Sequence, residues 1–242
     1  MKFNFLPYAI FTLFTPPATS HIHTLRPTRP IKKMASNKRA KHTKNTIHKD
    51  ISDIKCVSYQ DSFLPPEIYK NALENLLHEI EFCSKEESAI TIFGKRTYIP
   101  RSHAGYGNPG TSYKFSGVRV AAKDWATSPT LFAIKEHVVK TLHIPVSYVL
   151  VNLYRTGSDY IGYHSDDEKG LNPNYPIISV SLGAARPFRF QHKESDNIHE
   201  TILKDNSVII MSPPCQREYK HCLPQRKNIN NIRLNLTFRV MQ

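Results

Sequence analysis

The run Arg233-Leu234-Asn235-Leu236-Thr237-Phe238-Arg239, close to the end of the chain, alternates polar and apolar residues without a break. Successive side chains of an extended strand point to opposite faces. One face therefore carries two guanidiniums, an amide and a hydroxyl, and the other carries Leu234, Leu236 and Phe238. Alone, such a run fits an ordinary solvent-facing strand equally well. Tyr148-Val149-Leu150-Val151-Asn152-Leu153-Tyr154 repeats the theme, with Asn152 and Tyr154 on one face and Val149, Val151 and Leu153 on the other. Between these two runs lie short β-rich stretches at 177–182, 188–192, 201–203 and 208–211, separated by turn formers such as Asn172-Pro173-Asn174 and Asp205-Asn206. Many short strands with this punctuation predict a sandwich or barrel, and a jelly roll also offers a mouth in which a ligand can sit. The fold class is read as α+β, mainly β: a double-stranded β-helix (jelly roll) with supporting helices.

Two helices are predicted outside the sheets. Pro65-Pro66 opens one in which Ile68, Ala72, Leu73, Leu76, Leu77 and Ile80 share a face. A second covers 130–141, with Leu131, Ile134, Val138 and Val139 inward.

The 242 residues, 40% of them hydrophobic, suffice for one sizeable core and a tail. The formal charge of +13 is unevenly spread: residues 1–55 hold 11 Lys/Arg against 2 Asp/Glu, which leaves only +4 for residues 56–242. Residues 1–55 are read as a basic, disordered leader, and Lys38-Arg39-Ala40-Lys41-His42-Thr43-Lys44 as a candidate nuclear address or nucleic-acid tether. A solvated leader without a partner reads the same way. The apolar run 3–14 is broken by Pro7 and too short to span a bilayer, so no membrane association is expected. Nuclear localisation is expected, with an organellar transit segment, or translation from Met34, left open. Cys56, Cys83, Cys215 and Cys222 make no C-x-x-C pair, which argues against a zinc knuckle or a disulfide framework.

His164 and Asp166 are two apart at the end of a strand-like run, so both point the same way, and His221 follows much later. Two imidazoles and a carboxylate on one ion leave three octahedral positions open, an arrangement suited to non-haem Fe(II) oxygenases. A zinc hydrolase could use the same three ligands. The arginines, amides and phenol of the flanking strands describe a pocket for a small dicarboxylate, because a guanidinium grips a carboxylate through two parallel hydrogen bonds. From Ser88 to Lys123 there are six Lys/Arg and no Asp or Glu, interleaved with Phe93, Tyr98, Tyr106, Tyr113, Phe115 and five glycines. Cations for phosphates, rings for bases and glycines for mobile loops suit a nucleotide-recognition lid over 88–123. A basic loop with aromatics packed beneath it would look similar.

Asn152-Leu153-Tyr154, the His164-Ser165-Asp166-Asp167-Glu168 run, Ser179-Val180-Ser181-Leu182-Gly183, Tyr219-Lys220-His221 and the closing Arg233-to-Arg239 strand resemble the AlkB family of Fe(II)/2-oxoglutarate dioxygenases. The similarity covers the chain from about Phe63 onward. The resemblance implies a catalytic domain over 56–242 with His164, Asp166 and His221 holding iron. Asn152, Tyr154, Arg233, Asn235, Thr237 and Arg239 would line the 2-oxoglutarate site, with O2 as the second co-substrate. Ile92-Phe93-Gly94-Lys95, Pro100-Arg101 and Tyr113-Lys114-Phe115-Ser116-Gly117 are similar to the lid of the duplex-acting eukaryotic branch. That likeness implies Phe93 as a wedge filling the gap left by a flipped base. It further implies Tyr113, Phe115 and His164 around that base, and Ser116, Arg101 and Glu168 shaping its pocket.

The implied activity is oxidative demethylation of N-alkylated bases, such as 1-methyladenine and 3-methylcytosine, by a monomer acting on double-stranded DNA. 2-Oxoglutarate and O2 would become succinate and CO2, with release of formaldehyde. The same chemistry on RNA or single strands is the alternative. Three departures bear on the grip on DNA. Lys193 is offset by Glu194, Asp196 and Glu200 where relatives carry a basic loop, Asn228 follows Arg226-Lys227, and Lys220 precedes His221 where aromatics are common.

Overall fold

The alternation of the last third of the chain is realised as two facing sheets. The computed structural model describes residues 48–92, 94–115, 117–195 and 197–242. The chain begins with β1 (His48–Lys49) and β2 (Val57–Gln60), then α1 (Pro66–Tyr69) and α2 (Ala72–Glu79). Next come β3 (Ala89–Ile92), β4 (Lys95–Tyr98), β5 (Ser102–Gly107), β6 (Ser112–Phe115), β7 (Val118–Ala121), β8 (Lys123–Asp124) and α3 (Pro129–Leu142). The remainder is β9 (Tyr148–Tyr154), β10 (Ile161–His164), β11 (Ile177–Gly183), β12 (Arg186–His192), β13 (Ile198–Leu203), β14 (Ser207–Met211), α4 (Pro213–Glu218), β15 (Tyr219–Leu223) and β16 (Arg233–Arg239).

The larger sheet has the order β2-β14-β11-β16-β9-β5-β8 and the smaller β1-β13-β12-β15-β10. Strands β9 to β16 pass back and forth between the sheets, which is the expected jelly roll. β16 lies between β11 and β9, in register Arg233↔Tyr154 and Asn235↔Asn152 on one side and Thr237↔Ser179 and Asn235↔Ser181 on the other. Two apolar clusters flank the larger sheet. Leu234, Leu236, Phe238, Val149, Val151 and Val180 pack against Leu76 of α2 and Leu131, Ile134 and Val138 of α3. Leu150, Phe188, Phe190, Ile209 and Leu223 fill the space between the sheets. Both faces of β16 are thus buried, and its polar face points into the molecule rather than to water.

Three expectations change in detail. The single helix read from Pro65-Pro66 is two helices, because Asn71 takes the left-handed conformation (φ 64°) that asparagine tolerates, ending α1 and starting α2. The folded part begins before residue 56: β1 pairs with β13, and Ile51 and Ile54 are buried. Residues 1–47, where most of the expected leader falls, lie outside the described residues.

Only part of the stretch 88–123 stands apart from the two sheets, as a lid would. β3–β4 and β6–β7 form separate two-stranded ribbons, but β5 and β8 belong to the larger sheet. Two of the glycines there serve close packing: a Cβ on Gly105 would lie 2.1 Å from the Tyr148 hydroxyl, and one on Gly107 2.7 Å from the Ser147 carbonyl oxygen. Beyond β8, Trp125 is buried in the helix-side cluster and its Nε1–H donates to Asn108 Oδ1 at 3.2 Å.

Candidate active site

The side chains of His164, Asp166 and His221 converge between the sheets, with one ligand atom from each lying within 4.8 Å of the others. β10 and β15 pair antiparallel with His164 opposite His221, which brings the distant histidine home. Their rings are 4.2 Å apart. His164 Nδ1 lies 2.9 Å from the Gly162 carbonyl oxygen, and since a carbonyl only accepts, the proton sits on Nδ1. Its Nε2 lone pair is left facing Asp166 Oδ1 at 3.7 Å.

His221 is buried beside Phe188 and Phe190, and its Nδ1 is buried without a hydrogen-bond partner among the described residues. Burial, then the neighbouring His164, lowers its pKa to about 3, so the ring is neutral and able to donate a lone pair. Burial also lowers that of His164. Burial alone would raise the carboxyl pKa of Asp166; Arg239, with His221 and His164, outweighs it and brings the value to about 2. The backbone N–H of Asp166 donates to Gln216 Oε1 on α4 at 2.9 Å, which holds the Asp166 peptide in place.

The polar face of β16 continues from this centre. Arg239 Nη2 donates to Asp166 Oδ2 at 2.8 Å, and its guanidinium lies 4.4 Å from the Tyr113 ring centroid. Thr237 Oγ1 donates to Asn235 Oδ1, and Asn235 Nδ2 donates to Ser179 Oγ and the Val180 carbonyl. At the far end Arg233 Nη2 donates to Ser181 Oγ at 2.9 Å, and its guanidinium lies over Tyr154 at 5.2 Å. Among the described residues Arg233 has no carboxylate partner, and its Nε is buried without a hydrogen bond. Burial pulls its pKa down to about 10.

A cavity of about 340 Å³ joins these groups to Arg101, Tyr113, Phe115 and Glu168. Tyr113 and Phe115 stack with centroids 5.6 Å apart, and the Tyr113 hydroxyl donates to Glu168 Oε2. Burial raises the Glu168 pKa. Arg101 Nε donates to Asn152 Oδ1 at 2.8 Å. Phe93 and Ser116 lie outside the described residues.

The donor set fits a metal and a dicarboxylate. Two neutral imidazoles with an ionised aspartate suit a divalent cation, and the buried, unmatched Arg233 suits an anion at the other end of the cavity. The site also uses residues that had no role in the sequence reading. Gln216 holds the Asp166 peptide, Ser179 and Ser181 accept hydrogen bonds from Asn235 and Arg233, and fully buried Arg186 donates to the carbonyls of Thr156, Asp159 and Pro224. Ser179 and Ser181 were visible as a Ser-x-Ser on a strand; nothing local marks Gln216 or Arg186.

A jelly roll with two histidines, an aspartate and a buried arginine in its mouth defines an iron-dependent oxygenase of the keto-acid-using class. The chain belongs to the 2OG-Fe(II) oxygenase superfamily, whose model matches residues 56–239, and it is a dioxygenase using Fe(II), 2-oxoglutarate and O2. It is 38% identical over 172 residues to the DNA oxidative demethylase ALKBH2 of Mus musculus, covering 68% of this chain and 71% of the relative. With the DNA oxidative demethylase ALKBH2 of Homo sapiens the identity is 37% over 174 residues, covering 69% and 66%. A solved structure described as that of OsALKBH1 superposes with a TM-score of 0.49 at 19% identity, covering 76% of this chain and 98% of that one.

Proposed function

We propose that this chain repairs DNA by oxidative demethylation of bases alkylated on ring nitrogens, 1-methyladenine and 3-methylcytosine among them. The observation that carries the proposal is that Tyr113, Phe115 and Glu168 share one cavity with His164, Asp166 and His221. The likeness to the mouse and human DNA oxidative demethylases supports it. When bound, the iron and keto acid supply the oxidising power that hydroxylates an N-methyl group, which then leaves as formaldehyde.

The chain's own residues bind and orient. His164, Asp166 and His221 hold the metal, and Arg233 takes a carboxylate of 2-oxoglutarate. Asn152, Tyr154, Asn235, Thr237 and Arg239 line the remainder of its site. Tyr113 and Phe115 stack on the base together with the His164 ring. Bases alkylated at these positions are cationic, so the carboxylate of Glu168 complements them.

The preferred substrate is the duplex, and the protein acts as a nuclear monomer. Extracting a paired base costs a few kcal/mol, and Phe93, inserted where the base had been, offsets part of that cost. A preference for single strands or RNA is the second reading. It is favoured by Lys193, whose Nζ donates to the Gln216 carbonyl at 2.7 Å and so is already occupied within the protein. Formaldehyde release from one lesion in single- and double-stranded oligonucleotides, with Fe(II) and 2-oxoglutarate, tests both. Phe93→Ala is expected to lose far more on the duplex; equal loss on the two would remove the wedge. No release from either substrate by the wild-type chain would end the proposal.

A further inference from the structure

Arg101 is a cation in the cavity whose position does not suit a base. It lies just before β5 and is 6% exposed. Its Nε donates to Asn152 Oδ1, and it forms no ion pair among the described residues. A guanidinium carries five N–H donors, so most of its capacity faces the cavity unmet by a carboxylate. An unpaired buried charge is costly, and burial is the largest influence on this side chain, pulling its pKa below the usual arginine value. Arg101, Arg233 and Arg239 face only Asp166 and Glu168 within the cavity, so the lining calls for an anion before any metal ion binds.

Three groups of a reacting complex could approach Arg101. An N-alkylated base is itself cationic and would be repelled. A phosphodiester stays on the outside of the protein, out of reach of a residue this deeply buried. A keto-acid carboxylate enters the cavity as a small free anion. Asn152, which Arg101 holds, faces Asn235 across the β9–β16 register, on the same polar face as Arg233 and Arg239.

We propose that Arg101 is a co-substrate residue: its Nε fixes the Asn152 amide, and its terminal nitrogens receive a carboxylate of 2-oxoglutarate. The assignment rests on the proposed function only in taking the base to be a cation. It moves Arg101 out of the base pocket that the lid resemblance implies.

The test is calorimetric titration of the full chain, loaded with Mn(II) and kept anaerobic, with 2-oxoglutarate and separately with a methylated single-stranded oligonucleotide. In Arg101→Met the 2-oxoglutarate Kd is expected to rise at least tenfold while the oligonucleotide Kd stays within threefold. Arg101→Lys keeps the charge but loses the fork that holds Asn152, and its 2-oxoglutarate Kd is expected to fall between the two. If Arg101→Met does not fold, Arg101→Lys decides alone. A 2-oxoglutarate Kd within twofold of wild type in the folded variants overturns the assignment, as does a loss confined to the oligonucleotide. A wild-type chain that binds 2-oxoglutarate and no methylated oligonucleotide would overturn the DNA reading; the Arg101 loss would still support this one.

Discussion

The two arginines of β16 are six residues apart on one face and almost equally buried, yet their surroundings are opposite. Arg239 forms an ion pair with Asp166 and lies against Tyr113; Arg233 meets a serine hydroxyl and an aromatic ring. Asp166 holds the Arg239 pKa above the ordinary arginine value despite burial, while burial depresses that of Arg233. One charge is neutralised inside the protein and supports Asp166, the proposed metal ligand. The other is left for a ligand and opposes folding until one arrives. A buried cation paired at home is thus a structural part, and a buried cation without a partner marks a binding site.

The largest effect that could break this contrast is expected from Arg239→Met. It strands the Asp166 carboxylate and should cost about 3–5 kcal/mol of stability, read by urea denaturation, together with metal affinity. Arg233→Met should do the reverse. Its 2-oxoglutarate affinity should fall by about 2–5 kcal/mol in calorimetry while the unliganded protein is no less stable than wild type. Equal destabilisation by the two substitutions would erase the distinction between the ends.

Acid should act on the Arg239 end rather than the Arg233 end, with buried His103 on β5, lowered from 6.5 to about 4, adding to the same decline. His221, lowered from 6.5 to about 3, favours the folded state fully above pH 6.5, and that contribution is lost as pH falls towards 3. Asp166, lowered from 3.8 to about 2, adds a second loss below pH 3.8. Denaturation of the metal-free protein from pH 7 to 3 should therefore show stability declining from about pH 6.5, and His221→Leu should flatten the upper part of that curve. An unchanged slope in the variant would show that another group titrates. The smallest effect is expected from Ser181→Ala, which removes one hydrogen bond from Arg233. It should weaken 2-oxoglutarate binding by about 0.5–1.5 kcal/mol without moving the acid transition.

How far the site was legible depended on sequence distance. The alternation of β9 and β16 and the two-residue spacing of His164 and Asp166 are local, so the polar interior strands and two members of the candidate metal cluster could be read directly. The partnership of Arg239 with Asp166 spans 73 residues and that of Asp166 with Gln216 spans 50, and no periodicity encodes either. β5 went unread because Gly105 and Gly107 resemble loop glycines; the Tyr148 side chain and Ser147 carbonyl lying against them make small residues necessary. The break at Asn71 was hidden because the apolar residues on either side keep helical spacing.

Trp125 is the chain's one tryptophan, and it belongs to the packing under the helices, on the side of the larger sheet away from the cavity. Its fluorescence should therefore follow melting of the scaffold and stay largely silent when the mouth of the jelly roll fills. One optical signal can then count folded molecules while heat or formaldehyde counts occupied ones.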